Sequence, residues 1–193
     1  MKKVLLLLMF FPLMILSQNL QADELLWSKD RKLKKEDYKL ITHDMNVEIK
    51  SFISFSYHLR GFNVFNNNLN KNIINKFSGN ASVLNPDANN IAALVDYQQV
   101  NFDLSEVYAR RMRRELLINK SKLWKGFDYA EQTFSTLVSE YQKAQNLMNE
   151  ETNYGFDFEK LNGWKQKIDN ELKDLSEFDY NNTVKIKIKK TEG

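Results

Sequence analysis

The sequence predicts an α+β domain: a small N-terminal antiparallel sheet, then three helices and a short C-terminal strand. Three observations lead there. Residues 53–59 alternate apolar and polar, the period of a half-buried strand. Residues 94–175 repeat apolar positions at three- and four-residue spacing in three successive blocks, the signature of helix faces. Residues 184–189 alternate again, Val184, Ile186 and Ile188 against Lys185, Lys187 and Lys189.

The elements follow in order. Residues 1–22 have the layout of a secretory signal. Lys2 and Lys3 precede the apolar run Val4–Leu16, which is too short to span a bilayer, and Leu20 and Ala22 take the −3 and −1 positions of a cleavage site. No Cys follows the run, which excludes a lipoprotein anchor. A single domain over 23–193 is expected. It opens with "ELLWSKDRKLKKEDYKL", a short apolar start and a charged segment anchored by Trp27, Leu33 and Tyr38. A strand over Ile53–Leu59 is broken by Gly61, and Phe62, Val64 and Phe65 predict a second strand. Residues 66–72 read as a turn or exposed loop. Residues 75–90, with Gly79 and Pro86, read as irregular, with Asn89 or Asn90 placed to cap the next helix.

That helix, residues 94–117, reads as amphipathic, with Leu94, Tyr97, Asn101, Leu104 and Tyr108 on one face. A second carries the stripe Phe127, Ala130, Phe134, Leu137, Tyr141 and Met148, and a third Leu161, Trp164, Ile168, Leu172 and Leu175. Lysines along one side of a terminal strand keep a sheet edge from pairing with other molecules.

Composition excludes several function classes. The chain has no Cys, which removes disulfides, thiolate metal sites and Cys nucleophiles together. An exported protein without disulfides fits a bacterial envelope. Loss of Lys2 and Lys3 lowers the formal charge from +3 to +1, so the overall pI of about 8.9 says little about partners and nucleic acid is not expected. No glycine-rich phosphate loop and no Ser/His/Asp order stands out.

Three segments together resemble a family of predicted secreted zinc-dependent proteases of bacterial envelopes. "LLWSKDRKLKKEDY" has the shape of its L-T-W-x-D-F-like opening, with Lys35 where a second Trp would fall. "LVDYQQVNFDLSEVYAR" is similar to its L-L-x-H-E-Q-x-H-F-D-[IL]-x-E-x-x-A-R helix at Gln99, Phe102, Asp103, Leu104, Glu106, Ala109 and Arg110. "MNEETNYGF" is similar to its Y-D-x-x-T-x-H-G-like turn at Thr152 and Gly155. The resemblance implies a zincin-like helix core.

The departures fall on the chemistry. In H-E-x-x-H the two His chelate one Zn²⁺ from adjacent turns, and the Glu acts as general base on the bound water. Those positions hold Tyr97, Gln98 and Asn101, and the His of the later turn is replaced by Tyr154. A neutral phenol and a carboxamide oxygen are poor zinc ligands, and Gln98 cannot take a proton as a carboxylate would. The resemblance therefore implies a degenerate member, with Tyr97 and Asn101 filling the former metal pocket as a polar patch. Asp103, Glu106 and Arg110 are expected to support packing of the helix.

The remaining candidates are weaker. His43 and His58 are the only histidines and lie on no shared ligand pattern. Arg110, Arg111, Arg113 and Arg114 form a basic cluster late in the helix, expected on a solvated or salt-bridged face. The reading is an exported, non-catalytic binding protein with a zincin-like fold and a protein or peptide partner in the cell envelope. No cofactor and no metal is expected, and membrane contact only if the signal segment is retained. Two alternatives stay open: a metal-dependent peptidase with a site rebuilt on Asp96, Asp103 or Glu106, and a structural helical module anchored by its uncleaved N-terminus.

Overall fold

The computed structural model describes residues 22–44, 46–61 and 65–187. The expected signal segment up to Gln21, the strand residues Phe62 and Val64, and the C-terminal Ile188 and Lys189 lie outside the described residues. Within them the chain is α+β. Six strands come first: β1 (Glu24–Leu26), β2 (Leu40–Ile41), β3 (Ile49–Lys50), β4 (Ile53–Tyr57), β5 (Ile73–Ser78) and β6 (Val83–Leu84). Three helices follow: α1 (Ile91–Ile118), α2 (Asp128–Glu151) and α3 (Phe158–Asp174).

The main sheet has the order β1-β5-β4, antiparallel throughout. A smaller sheet, β2-β6-β3, pairs β2 parallel and β3 antiparallel to β6. The expected strand at 53–59 stops at Tyr57. Residues 73–78, with 75–78 expected as irregular chain, form the central strand. Alternation accounts for it, because Ile73, Asn75 and Phe77 are all buried. Asn75 is accommodated there by Ser105, whose Oγ donates to its Oδ1 at 2.9 Å, and by its own Nδ2 bond to the Phe102 carbonyl at 3.4 Å. Gly79 then carries the chain toward the smaller sheet, where a Cβ would lie 2.3 Å from the Asp37 carbonyl oxygen.

Helix α1 is buried nearly all round rather than amphipathic. Tyr97, Leu104 and Tyr108 belong to a core shared with α2 and α3, whereas Val95 and Phe102 belong to a second core with Trp27, Leu33, Tyr38 and Phe77. A helix with apolar contacts on opposite faces is a central element, not a surface one. Asn90 is its N-cap as expected, but through backbone geometry: φ is +54° and its side chain makes no capping bond. The apolar stripes of α2 and α3 pack with Ala130, Met148, Leu161 and Ile168 fully buried, except that Phe127, expected on the first stripe, precedes α2 and is 37% exposed. Asp157 caps α3 by accepting the Lys160 amide at 3.0 Å.

Polar residues of α1 are buried in pairs. Glu106, 1% exposed, accepts Arg110 Nε at 3.0 Å and Arg113 Nη1 at 2.7 Å. Arg113 also donates to the carbonyls of Ile73, at 2.9 and 3.2 Å, and Phe178, at 2.9 Å. Arg110 donates to the Leu172 carbonyl at 2.8 Å and to the Asp179 carboxylate. One carboxylate and two guanidiniums thus tie α1 to β5, α3 and the C-terminal segment.

The expected C-terminal strand is absent over 184–187. Ile186 is buried and its amide donates to the Asn67 carbonyl at 3.1 Å, but Val184 is 71% exposed and no ladder forms. Phe65, placed by sequence in a second strand, is likewise outside any strand and exposed. The core residues among those described lie between Trp27 and Ile186, so a chain beginning at Asp23 holds all of the described packing.

Glu106→Ala leaves Arg113 buried without a carboxylate and Arg110 with Asp179 alone, and should lower the unfolding free energy by about 3–5 kcal/mol. Lys165→Ala, which breaks the exposed pair with Asp96, should cost under about 1 kcal/mol. Urea unfolding of both variants reads the contrast, and equal losses would contradict it.

Candidate functional site

Two positions of α1 one turn apart, Tyr97 and Asn101, face α2. The Tyr97 ring is buried, and its hydroxyl donates to Asn149 Oδ1. Asn101 Oδ1 accepts Gln145 Nε2 at 3.1 Å, and its own amide reaches the Tyr97 carbonyl at 3.4 Å. Gln145 Nε2 also meets the Tyr141 hydroxyl at 3.2 Å. Burial raises the Tyr97 and Tyr141 hydroxyls above the ordinary tyrosine range, so at neutral pH both are protonated donors and not phenolate ligands.

The α2–α3 turn closes over Tyr97. Thr152, fully buried, donates to the Met148 carbonyl at 2.7 Å and accepts the Gly155 amide at 3.1 Å. Asn153, Tyr154 and Gly155 follow with φ of +46°, +55° and +92°. A bulky side chain in the left-handed region is uncommon. Here the backbone over-determines it, since the Tyr154 amide donates to the Asn149 carbonyl at 2.8 Å and the Asp157 amide to the Thr152 carbonyl at 2.8 Å. Gly155 lies directly against the Tyr97 ring, where a Cβ would sit 2.6 Å from Tyr97 Cγ.

A cleft of about 330 Å³ opens beside this contact. Residues 46–50, which include β3, line one part of it. Leu94, Tyr97 and Gln98 line it from α1, and Tyr154 and Phe156 from the turn. Tyr154 and Phe156 are 61% and 54% exposed, and β3 is an outer strand of its sheet. The fold thus brings Tyr97, Gln98 and Tyr154 to one cleft, while Asn101 is turned beneath them toward α2.

Asp103, Glu106 and Arg110 sit elsewhere. Asp103 accepts the Trp27 indole at 2.6 Å, Gln99 Nε2 at 2.8 Å and Lys32 Nζ at 3.2 Å, and it lines a separate cleft with Asp96 and Lys165. Gln99 Oε1 in turn accepts the Leu33 amide at 2.7 Å. These side chains bind the N-terminal segment to α1, and Glu106 and Arg110 do the same for the C-terminal one. The arginine cluster is divided rather than gathered on one face. Arg110 and Arg113 are buried, Arg111 pairs with Glu171 and Arg114 is exposed. His43 bonds Asp87 at 2.7 Å, and His58 accepts Arg60 Nε at 3.4 Å.

This donor set does not fit the zinc ion that the resemblance implies. Tyr97 and Asn101 are bonded to carboxamides of α2, the one carboxylate lining the cleft is Glu48, and the carboxylates of Asp103 and Glu106 are held by cations and N–H donors. Among the described residues no group of three His, Cys, Asp or Glu is placed to hold an ion. Sequence reasoning missed Gln145, Asn149 and the β3 wall. Gln145 lies one turn from Tyr141 and Asn149 one turn from Gln145, so the stripe of α2 already carried the signal.

Gly155→Ala should destabilise the protein by about 1–3 kcal/mol, from both the positive φ and the approach to Tyr97. Tyr97→Ala removes the ring atoms at 2.6 and 2.8 Å and keeps Cβ at 2.7 Å, so it relieves the clash in part. The double variant should therefore lose less than the sum of the single losses, by at least about 0.5 kcal/mol in a denaturation cycle. Strict additivity would show that the ring contact is not what demands glycine. Compared with known proteins, the chain matches no family model, no curated protein and no solved structure.

Proposed function

We propose that this chain is an exported, non-catalytic binding protein, a zinc-protease-like fold whose former metal position has become part of its packing. The observation that carries this reading is the Tyr97–Asn149 and Asn101–Gln145 pairing under Gly155. Tyr97 and Asn101, which stand at two of the ligand positions, are engaged by α2, and Tyr154, at the third, is an exposed phenol on the rim. Gln98, in the position of the general base, borders the cleft as a neutral amide. Catalysis of peptide hydrolysis by a zinc-bound water needs three protein ligands and an open position, with a carboxylate to accept the proton. The peptidase rebuilt on Asp96, Asp103 or Glu106 is disfavoured because Asp96 pairs with Lys165 and the other two carboxylates already hold buried or indole donors.

What the cleft offers instead is recognition. An outer strand on one side and two exposed aromatic rings on the other suit an extended segment of a partner protein. The strand stands at the edge of its sheet, and the rings supply apolar area at low entropy cost.

The test is elemental analysis of metal-replete protein beside the variant Tyr97→His, Gln98→Glu, Asn101→His and Tyr154→His. The wild type should hold no stoichiometric zinc and cleave no peptide, whereas the variant should gain zinc if the backbone frame is that of the protease family. Near one-to-one zinc in the wild type, lost on changing Asp103 or Glu106, would overturn the reading. Zinc in neither protein would argue against the family origin. Export itself predicts a mature N-terminus at Asp23 or within a residue or two of it. Mass spectrometry that finds Met1 intact on envelope-localised protein would instead support the anchored helical module.

A further inference from the structure

We propose that the surface around Phe65 and Trp124 is an interfacial anchor that docks the folded domain on an anionic lipid bilayer. The inference does not rest on the cleft. Three segments meet at this surface. The α1–α2 connection contributes Trp124, the loop after residue 64 contributes Phe65, and the C-terminal segment contributes Lys185. Phe65 and Trp124 pack edge to face with centroids 4.7 Å apart, yet they are 65% and 59% exposed. Ile118, the last residue of α1, and Phe127, just before α2, are 50% and 37% exposed on either side of this connection in sequence. The other two tryptophans, Trp27 and Trp164, are buried and hydrogen-bonded through their indoles. Leaving the third in water next to another exposed ring is unusual, since large apolar side chains that stay together on a surface mark an interaction site.

The charge around the rings says what kind of site. Residues 118–128 hold Lys120, Lys122 and Lys125 against one carboxylate, Asp128. Lys120 Nζ bonds Asn67 Oδ1 at 2.7 Å and the Asn66 carbonyl at 3.4 Å, which joins the loop to the connection. Lys122 lies 4.3 Å from the Tyr129 ring centroid. Phe65 and Lys185 line one shallow cavity together with Asn66, Asn67, Asn68 and Thr183, and that cavity has no acidic residue. Exposed Trp and Phe beside Lys is the chemistry of the bilayer interface. The rings sit at headgroup depth and the ammonium groups meet anionic phosphates. A second copy fits less well, because a two-fold pairing would bring the lysines against themselves. Nucleic acid fits less well too, because the domain from residue 23 carries a net charge of only +1.

The experiment uses the chain from Asp23. It is mixed with vesicles of phosphatidylcholine alone and with vesicles that also contain phosphatidylglycerol, then followed by co-sedimentation and tryptophan emission. The expected result is binding to the anionic vesicles, weakened by salt, with a blue shift that comes from Trp124 because Trp27 and Trp164 are already buried. Phe65→Ser with Trp124→Ser should weaken vesicle binding by roughly tenfold or more, since the apolar group is lost. Lys122→Gln with Lys125→Gln should remove most of the preference for anionic over neutral vesicles. Both pairs are away from the core, and far-ultraviolet circular dichroism checks that they fold. Protein that stays in the supernatant with both vesicle types would overturn the proposal, as would vesicle binding that neither pair of substitutions alters. A concentration-dependent dimer that shields Trp124 without lipid would also overturn it. So would binding to an oligonucleotide in place of vesicles.

Discussion

The buried carboxylate of Glu106 between the guanidiniums of Arg110 and Arg113 is the constraint on which the remaining packing depends. Removing charges from water is costly, and the attraction between them offsets that cost only when the geometry is good and the other polar atoms are satisfied. Here the surplus donors of the two arginines are distributed to Ile73 in the sheet, Leu172 in α3, and Phe178 and Asp179 beyond it. The same three side chains therefore set where the sheet, the last helix and the C-terminal segment stand relative to α1. An apolar trio of similar volume would bury as much surface but would not specify those carbonyls. Asp103 does the corresponding work at the other end, holding Trp27 while Gln99 holds the Leu33 backbone.

The helix carries two kinds of polar residue, and the structure separates them. Gln99, Asp103, Glu106 and Arg110 are tied to segments distant in sequence, and their identity follows from those ties. Tyr97 and Asn101 are tied to α2 and to the turn above it. The turn places Tyr154 at positive φ on the rim of the cleft, and Gly155 is glycine because the Tyr97 ring occupies the space of a side chain. The ring of Tyr97 and the conformation of residues 153–155 are thus one structural feature rather than two.

The sequence made some of this legible and hid the rest for physical reasons. The stripes of α2 and α3 were plain because each has one apolar face, and the anchors Trp27, Leu33 and Tyr38 were plain because they stand alone among charges. Strand β5 was hidden because Asn75 occupies one of its inward positions, which breaks the apolar alternation that marks a strand, and because Asn residues precede it. The two-residue strands β2, β3 and β6 are too short to leave a period. Helix α1 was found, but its surroundings were misread. Paired buried charges look like a polar face until their partners, up to 69 residues away, are known. At the C-terminus, alternation of Lys with Val and Ile suggested a strand, but the structure offers Ile186 a single carbonyl rather than a sheet edge.

The reach of Arg110 and Arg113 to residues 178 and 179 also governs timing. A chain that emerges N-terminus first, from a ribosome or through a translocation channel, presents β5 and α1 long before those acceptors appear. Until Phe178 and Asp179 are out, the arginines lack two of the partners that make their burial tolerable, so the emerging segment has little incentive to close around them. The network that joins α1 to the sheet and to α3 therefore closes only when residues 178 and 179 are present, close to the last of the described residues.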